Sequence, residues 1–360
     1  MQTRRLVAAL ALAAVALGPA ACVREEGRAL PGGGSNIRVS LITKDATNPY
    51  FTAIEEAARS TAERVGVDVA VTSGASDDAR QLAAIDAAVA RGDRGILITP
   101  VSSAVESAMK KARDLGLYVI ALDSPPDTPG AVDVTFASDN RKAGKLLGGW
   151  VAAELGGRPA TIALLGLDAG SDVRLDRDRE EGFLEGMGIA AGDPRTRGDV
   201  PRVGRYPATS SGTPGGAYSI DCVEATAGTE AGGRTAMESC LAAAQGISVV
   251  YTVNERVAEG AVAALEGGDA PDVVLVSFDG GCEGVEAVAA GTIDATVQQF
   301  PLRMATLGVE SIARVARGGE KPEPTEGLDL VDTGVALVAD RPRGGVASID
   351  TTEAARLCWG

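Results

Sequence analysis

The sequence contains no histidine, and this absence excludes several kinds of active site. A Ser-His-Asp or Cys-His nucleophilic site needs an imidazole as its base, and many zinc sites need one as a ligand. Phosphate-binding glycine motifs are absent as well: no GxGxxG follows a strand, and no GxxxxGK[ST] occurs. Carboxylate, lysine or cofactor chemistry remains open, but nucleotide binding has no direct support.

Basic residues are also few, with 34 Lys and Arg against 49 Asp and Glu and a formal net charge of −15. Such an acidic surface favours solubility. It argues against nucleic acid, or an anionic membrane surface, as a partner.

The N-terminus reads MQTRRLVAALALAAVALGPAAC, in which two arginines precede an apolar run that ends in small residues. This layout predicts a secretory signal peptide over residues 1–21, with an apolar run too short to span a bilayer comfortably. The cysteine that follows, Cys22, resembles the lipid-bearing first residue of a bacterial lipoprotein, although Pro19 stands where leucine is usual. Residues 22–36 read as a flexible tether. We expect an exported chain, either lipid-anchored through Cys22 on the outer face of the cytoplasmic membrane or simply secreted to the periplasm.

Beyond Cys22 the chain has four cysteines: Cys222, Cys240, Cys282 and Cys358. An even number in an exported protein suggests two disulfides, and three pairings are possible. The sequence does not choose among them. We favour Cys222–Cys240, which are close in sequence, and Cys282–Cys358, which would hold the C-terminal tail; buried free thiols are the alternative.

From residue 37 onward, strands alternate with amphipathic helices, as in IRVSLI followed by PYFTAIEEAARSTAERVG. This alternation predicts parallel sheets with helices on both faces. The rhythm restarts near Phe136, and roughly ten units exceed one sheet, so the α/β chain is expected to form two doubly wound lobes. Residues 210–228 read as an irregular insertion before a helix over 229–245.

Polar and aromatic residues gather where the predicted strands end, which is where open α/β sheets bind ligands. These strand-end residues are Lys44, Asn48, Tyr50, Phe51, Asp123, Ser124, Asn254, Asp279, Gln298 and Gln299. Planar amides and carboxylates can each hold two hydroxyls, and flat rings pack against C–H patches, so the set suits a sugar. Any one of them alone could be a helix N-cap or a core residue. Their joint occurrence at five strand ends favours a binding site.

These segments resemble a known family, the type I periplasmic binding proteins, over residues 37 to about 340. Within that family the chain is similar to the ribose-binding group of ABC-transporter sugar receptors. NPYF resembles its asparagine-proline-aromatic-aromatic signature, and ALDS its sugar-binding aspartate. RDREEGF resembles the segment with an arginine six residues before a phenylalanine, which points to Arg177. YTVNERVAEGA, SFDGG and QQFP resemble the segments that bear Asn254, Asp279 and Gln299, and Lys44 stands where some hexose-binding members have a ligand-contacting lysine.

Two departures from the family pattern stand out, and the first of them argues against simple ribose binding. Ser124 replaces the arginine that usually follows the aspartate. The segment CVEATAGTEAGG has no counterpart of the aromatic that the second lobe usually supplies. TEGLDLVDTGVALVAD, SID and LCWG resemble a longer branch that contains fructose-specific binding proteins, so fructose is the first choice; another ketose, ribose, xylose or inositol is the alternative.

The resemblance implies a sugar receptor that is not an enzyme, uses no cofactor or metal, and works as a monomer. The sugar would be held between an N-terminal lobe (37–138 plus 300–332) and a C-terminal lobe (139–299 plus 333–360), joined by a hinge of three crossings. The closed form would deliver the sugar to an ABC-transporter permease, or report it to a membrane receptor. A lactose-repressor type regulator would need a DNA-binding segment in place of the signal, and a glycosidase would use Asp123 and Asp279 as its acid pair.

Overall fold

The computed structural model describes residues 37–167, 173–191, 202–266 and 273–360. The predicted signal peptide, the tether and Cys22 lie outside these residues. Among the helices of the described part, none has the length and apolar character needed to cross a bilayer.

Strands and helices alternate through most of the chain. The first group is β1 (Arg38–Thr43), α1 (Pro49–Val65), β2 (Asp68–Ser73), α2 (Asp78–Arg91), β3 (Gly95–Ile98), a 3-10 turn (Ser103–Val105), α3 (Glu106–Asp114), β4 (Tyr118–Leu122) and β5 (Val134–Ala137). The second is α4 (Asn140–Leu155), β6 (Ala160–Gly166), α5 (Arg174–Gly186), β7 (Val203–Arg205), β8 (Ala217–Ala225), α6 (Glu230–Ala243), β9 (Val249–Thr252), α7 (Glu255–Leu265), β10 (Val274–Asp279), α8 (Cys282–Ala290) and β11 (Ala295–Gln299). The last is α9 (Pro301–Ala316), β12 (Val331–Asp332), β13 (Val335–Val338) and α10 (Thr351–Ala354).

The described strands form two sheets, and each sheet is the centre of one lobe. The first lobe has six parallel strands in the order β12-β5-β4-β3-β1-β2. The second has seven in the order β13-β11-β10-β9-β6-β8-β7, and its two edge strands, β13 and β7, run antiparallel. The prediction of two α/β lobes with doubly wound parallel sheets is confirmed.

Helices cover both faces of each sheet because successive strand residues point to opposite sides. In β3, Leu97 packs with the cluster that includes α1 and α9, whereas Ile96 and Ile98 pack with α2 and α3. In β6, Leu164 and Ala163 divide in the same way between the α4–α5 face and the α6–α8 face. Strands buried on both faces account for the nearly continuous apolar runs in the sequence.

The chain passes between the sheets three times, at 138–139, at 300 and at 333–334. Two of these segments are tied together: the N–H groups of Asp139 and Gly334 donate to one Asp332 oxygen, at 3.2 and 2.8 Å. One side chain from the predicted C-terminal lobe, Trp359, packs in the hydrophobic cluster of the first lobe instead.

Residues 210–228 were expected to be irregular, but they contain the nine-residue strand β8, which lies beside β6. The alternation in AYSIDCVEA was hidden by the glycine and threonine residues on both sides of it. Both favoured disulfides are confirmed: Cys222–Cys240 joins β8 to α6, and Cys282–Cys358 joins α8 to the C-terminal tail.

Helices α4 and α5 approach one another through glycine. A Cβ at Gly148 would lie 1.9 Å from the Phe183 carbonyl oxygen, and one at Gly144 would lie 2.3 Å from that of Arg179. Backbone therefore meets backbone at this crossing, and no larger residue fits without separating the helices. The contact fixes the position of α5, and with it the position of Arg179.

Gly148→Ala should destabilise the protein because the new methyl group would overlap the α5 backbone. Overpacking of this kind costs about 1–3 kcal/mol, and each kcal/mol shifts the melting temperature of a protein this size by about 2–4 °C. Differential scanning calorimetry should show a melting temperature about 3–10 °C lower. The matched control is Gly149→Ala, where the nearest atoms outside the helix lie 3.6 and 3.7 Å away and alanine favours the helix. Equal melting temperatures for the two variants would contradict the close-contact interpretation.

Candidate functional site

A cavity of about 160 Å³ lies at the carboxyl ends of the strands, between the two lobes. Most of the predicted site residues line it together. From the first lobe these are Lys44, Asn48, Tyr50, Phe51, Asp123 and Ser124, and from the second Asn254 and Asp279. Gln299 is not part of the lining, but its amide donates to Asp279 Oδ1 at 3.0 Å.

The first-lobe wall begins at the N-terminus of α1. Asn48 caps this helix by accepting from the Tyr50 N–H at 2.9 Å, and Pro49 occupies the first helical position. The Tyr50 and Phe51 rings meet edge to face with centroids 5.4 Å apart. The Tyr50 hydroxyl donates to Asp123 Oδ1 at 2.9 Å. The start of α1 thus fixes the positions of the Tyr50 and Phe51 rings and, through Tyr50, of the Asp123 carboxylate.

Both cavity aspartates have an unusual backbone. Asp123 and Asp279 follow or end central strands with φ of +67° and +124°. Positive φ is uncommon for residues other than glycine and costs on the order of 1–3 kcal/mol, and such residues cluster at functional sites. The conformation accompanies carboxylates that lie in the cavity, one from each lobe.

Two arginines line the cavity, Arg179 and Arg256, and Arg177 is not among them, so the structure places a different arginine of α5 there from the predicted one. Arg179 is 3% exposed; its guanidinium donates to Asn140 Oδ1 and to the Val253 carbonyl, both at 2.8 Å. It lies 3.7 Å from Asp279 Oδ1.

Arg177 instead forms a partly exposed ion pair with Asp127 of the first lobe at 3.1 Å. The physical reason is the helix period: residues two apart on α5 point in nearly opposite directions, whereas those four apart share a face. Arg179 is four residues before Phe183, which is fully buried. That spacing was a signal in the sequence that identifies Arg179.

Lys44 adds a third cation to the cavity, besides Arg179 and Arg256. Burial lowers the pKa of its ammonium, and nearby Asp123 and Asp176 oppose that shift. In the part of the chain that the structure describes, the ammonium has no hydrogen-bond or ion-pair partner. Its donors are available to a ligand.

Glu255 was not predicted, yet it supports Asp279. Its carboxylate accepts from the N–H groups of Gly280 and Gly281 at 2.8 and 3.1 Å, and from the Thr296 hydroxyl at 2.9 Å. These bonds hold the turn that follows β10. Burial, with Asp279 nearby, raises the pKa of Glu255. Burial also raises the pKa of Asp279, to about 7, against the lowering effect of Arg179.

The second-lobe wall has backbone where the family pattern has a ring. Ala227, Gly228 and Thr229 line the cavity there. Asn254 caps α7 by accepting from the Val257 N–H at 2.9 Å, and its amide donates to the Gly228 carbonyl at 3.1 Å. This part of the wall is therefore fixed by Asn254, and the Leu167 side chain, which also lines the cavity, lies close to Gly228.

Two ion pairs join the lobes across the cleft, so the structure is a closed arrangement. In addition to Arg177–Asp127, Arg174 contacts Asp329 at 2.6 Å. Partly exposed pairs such as these contribute about 0–1 kcal/mol each. These ion pairs therefore favour the closed arrangement only weakly.

Comparison with known proteins now identifies the family. The model described as "Periplasmic binding protein domain" matches residues 39–321. The ribose import binding protein of Escherichia coli (strain K12) is 29% identical over 293 residues, which cover 81% of this chain and 88% of that protein. The galactofuranose-binding protein of the same organism is 27% identical over 277 residues, covering 74% and 78%. A crystal structure of a galactofuranose binding protein has a TM-score of 0.71 at 23% identity, covers 89% of this chain and 97% of that one, and shows the shared fold. Because the family model matches most of the chain, this protein belongs to the periplasmic binding protein family.

Proposed function

We propose that this protein is the substrate-binding component of an ABC importer and that it holds a monosaccharide between its two lobes. The observation that carries the proposal is the cavity itself, which joins the carboxylates of Asp123 and Asp279, the guanidinium of Arg179 and the amide of Asn254 beside two aromatic rings. Donors and acceptors from both lobes suit a ring with many hydroxyls, and Tyr50 and Phe51 flank its C–H faces. Relatives named for ribose and galactofuranose support the same class of ligand.

The sugar acts by stabilising the closed form. Asp123 and Lys44 belong to one lobe, and Arg179 and Asp279 to the other, so a ligand contacts all four only when the cleft is shut. A ligand shifts the equilibrium by its difference in affinity for the two states. The closed shape then docks on a permease, and transport uses ATP hydrolysed by another subunit.

The proposed sugar is a hexose in its five-membered ring form, with fructose as the first candidate. Ser124 leaves more room than the family's usual arginine would, and the wall at Ala227–Gly228 carries no aromatic ring. Fructofuranose has exocyclic CH₂OH groups that fill such space. Galactofuranose, ribose, xylose and inositol are the alternatives. We also propose that a lipid on Cys22, followed by the tether, keeps the protein at the outer face of the cytoplasmic membrane.

Isothermal titration calorimetry tests the function with D-fructose, D-ribose, D-galactose, D-xylose and myo-inositol. We expect micromolar or tighter binding of at least one sugar, and the tightest binding for D-fructose. Tight binding of another sugar instead would overturn the choice of fructose and keep the function. No binding across the set would overturn the proposed function.

Arg179→Lys should weaken sugar binding by roughly 100-fold or more. Lysine keeps the charge but cannot reproduce the planar set of donors, and disrupting a buried charge pair costs about 2–5 kcal/mol. The matched control is Arg177→Lys on the same helix, which should change the dissociation constant less than about 3-fold. Melting curves should accompany both titrations to show that each variant is folded. A larger effect at Arg177 would restore the original prediction.

Sugar affinity should fall as the pH is lowered from 8 to 5. Because the pKa of Asp279 is raised to about 7, its carboxylate is fully ionised only above that pH, and protonation at lower pH removes an acceptor for sugar hydroxyls. A hydrogen bond to a charged group contributes about 1.5–3 kcal/mol, so the loss should reach about 10-fold. Asp279→Asn should bind more weakly at pH 8 and show a flatter pH profile. A flat profile in the unmodified protein would contradict this assignment.

A further inference from the structure

Trp359, near the end of the C-terminal tail, lies directly behind the wall of the sugar cavity. Its side chain is 7% exposed, and its ring meets the Tyr50 ring edge to face, with centroids 5.1 Å apart and planes at 81°. Aromatic pairs of this geometry contribute about 0.5–1.5 kcal/mol beyond the area that they bury. Trp359 does not line the sugar cavity; together with Asn48, Pro49 and Asp279 it lines a smaller cavity beside it.

The second lobe holds this indole in place. The disulfide Cys282–Cys358 fixes the residue just before it to α8. The Cys282 N–H donates to the Trp359 carbonyl at 3.0 Å, and the indole N–H donates to the Gln299 carbonyl, also at 3.0 Å. Trp359 is thus attached to one lobe by its backbone and packed into the core of the other by its ring.

The Tyr50 ring is confined between two other rings, Phe51 at 5.4 Å and Trp359 at 5.1 Å. Its hydroxyl is thereby set to donate to Asp123 Oδ1 at 2.9 Å. Phe51 adjoins Tyr50 in the same helix, but Trp359 comes from a segment more than 300 residues away and depends on its own attachments. If the tail is released, Tyr50 loses one of its two aromatic neighbours.

We infer that Trp359 is a positioning residue for sugar binding, and that the Cys282–Cys358 disulfide sets sugar affinity by holding Trp359 against Tyr50. This inference rests on the proposed function. It makes affinity for the sugar depend on the oxidation state of one disulfide, although neither cysteine lines the sugar cavity. The other disulfide, Cys222–Cys240, joins β8 to α6 and has no such path to Tyr50.

The test compares two double variants by titration with D-fructose and the other four sugars. Cys282→Ser with Cys358→Ser should bind about 10-fold more weakly than the unmodified protein. Cys222→Ser with Cys240→Ser is the matched control: it also removes one disulfide and lowers the melting temperature, but it should bind with unchanged affinity. Equal affinity in both variants would overturn the inference and leave the tail a purely structural role.

Single variants at Trp359 separate positioning from general stability. Trp359→Ala should bind about 10-fold more weakly, and Trp359→Phe, which keeps a ring against Tyr50, should bind within about 3-fold of the unmodified protein. If phenylalanine and alanine weaken binding equally, the ring contact is not the cause.

Tryptophan fluorescence gives a direct signal from this position because the chain has only two tryptophans. Trp150 is fully buried in the second-lobe core and donates to the Arg341 carbonyl at 2.9 Å. In a Trp150→Phe variant, binding of D-fructose, or of whichever of the five sugars binds, should change the emission of Trp359. An unchanged spectrum at saturating sugar would contradict contact through Tyr50.

Hydrogen exchange keeps the inference testable if none of the five sugars binds. Removing the Cys282–Cys358 disulfide should increase amide exchange in the segment 44–54, and removing Cys222–Cys240 should not. Silent titrations together with this increase would overturn the proposed sugar function and its dependence on the disulfide, but keep Trp359 as the residue that positions Tyr50. Unchanged exchange in the segment would overturn the positioning role itself.

Discussion

Burial of the Arg179 guanidinium between two lobes is the interaction on which the rest of this molecule depends. A charge removed from water is costly unless the protein replaces its solvent, and here an amide, a backbone carbonyl and an aromatic face do so. Those partners come from α4, from the end of β9 and from β10. Because α5 meets α4 at glycine, the arginine has little freedom to move toward bulk water. The Arg179 guanidinium is therefore held at the cavity wall, where a bound ligand can supply its remaining hydrogen-bond acceptors.

The same logic extends to the two aspartates. Each has a costly backbone conformation and lies among groups that restrain it, such as Tyr50 for Asp123 and Gln299 for Asp279. Acceptors fixed in this way lose little entropy when a hydroxyl arrives. The lobes therefore supply rigid halves of one site, and the conformational change is left to the segments that join them.

The fold could be predicted from the sequence because apolar runs and helical periods repeat along the chain and need no knowledge of distant contacts. Many of the residues that line the cavity could also be predicted, since the carboxyl ends of parallel strands meet at one edge of a sheet. β8 was missed because its alternation lies among turn-forming residues. Arg179 was missed because the motif spacing was used without considering which face of the helix each arginine occupies. Glu255 and Trp359 could not be found from local pattern, because their roles arise only when β10, α7 and the tail come together.

The Asp332 carboxylate restrains the segments that connect the two lobes. One of its oxygens accepts from the N–H groups of Asp139 and Gly334, so two of the connecting segments move as a single unit. The third segment, at residue 300, adjoins them, because the Arg303 guanidinium donates to the Thr333 carbonyl at 3.1 Å, and Gly334 has a φ of +92° that glycine adopts without strain. All three connections are therefore linked to one another, which restricts how the two lobes can move relative to each other. In the proposed closure, this restriction limits the relative orientations through which the two halves of the cavity pass before they meet.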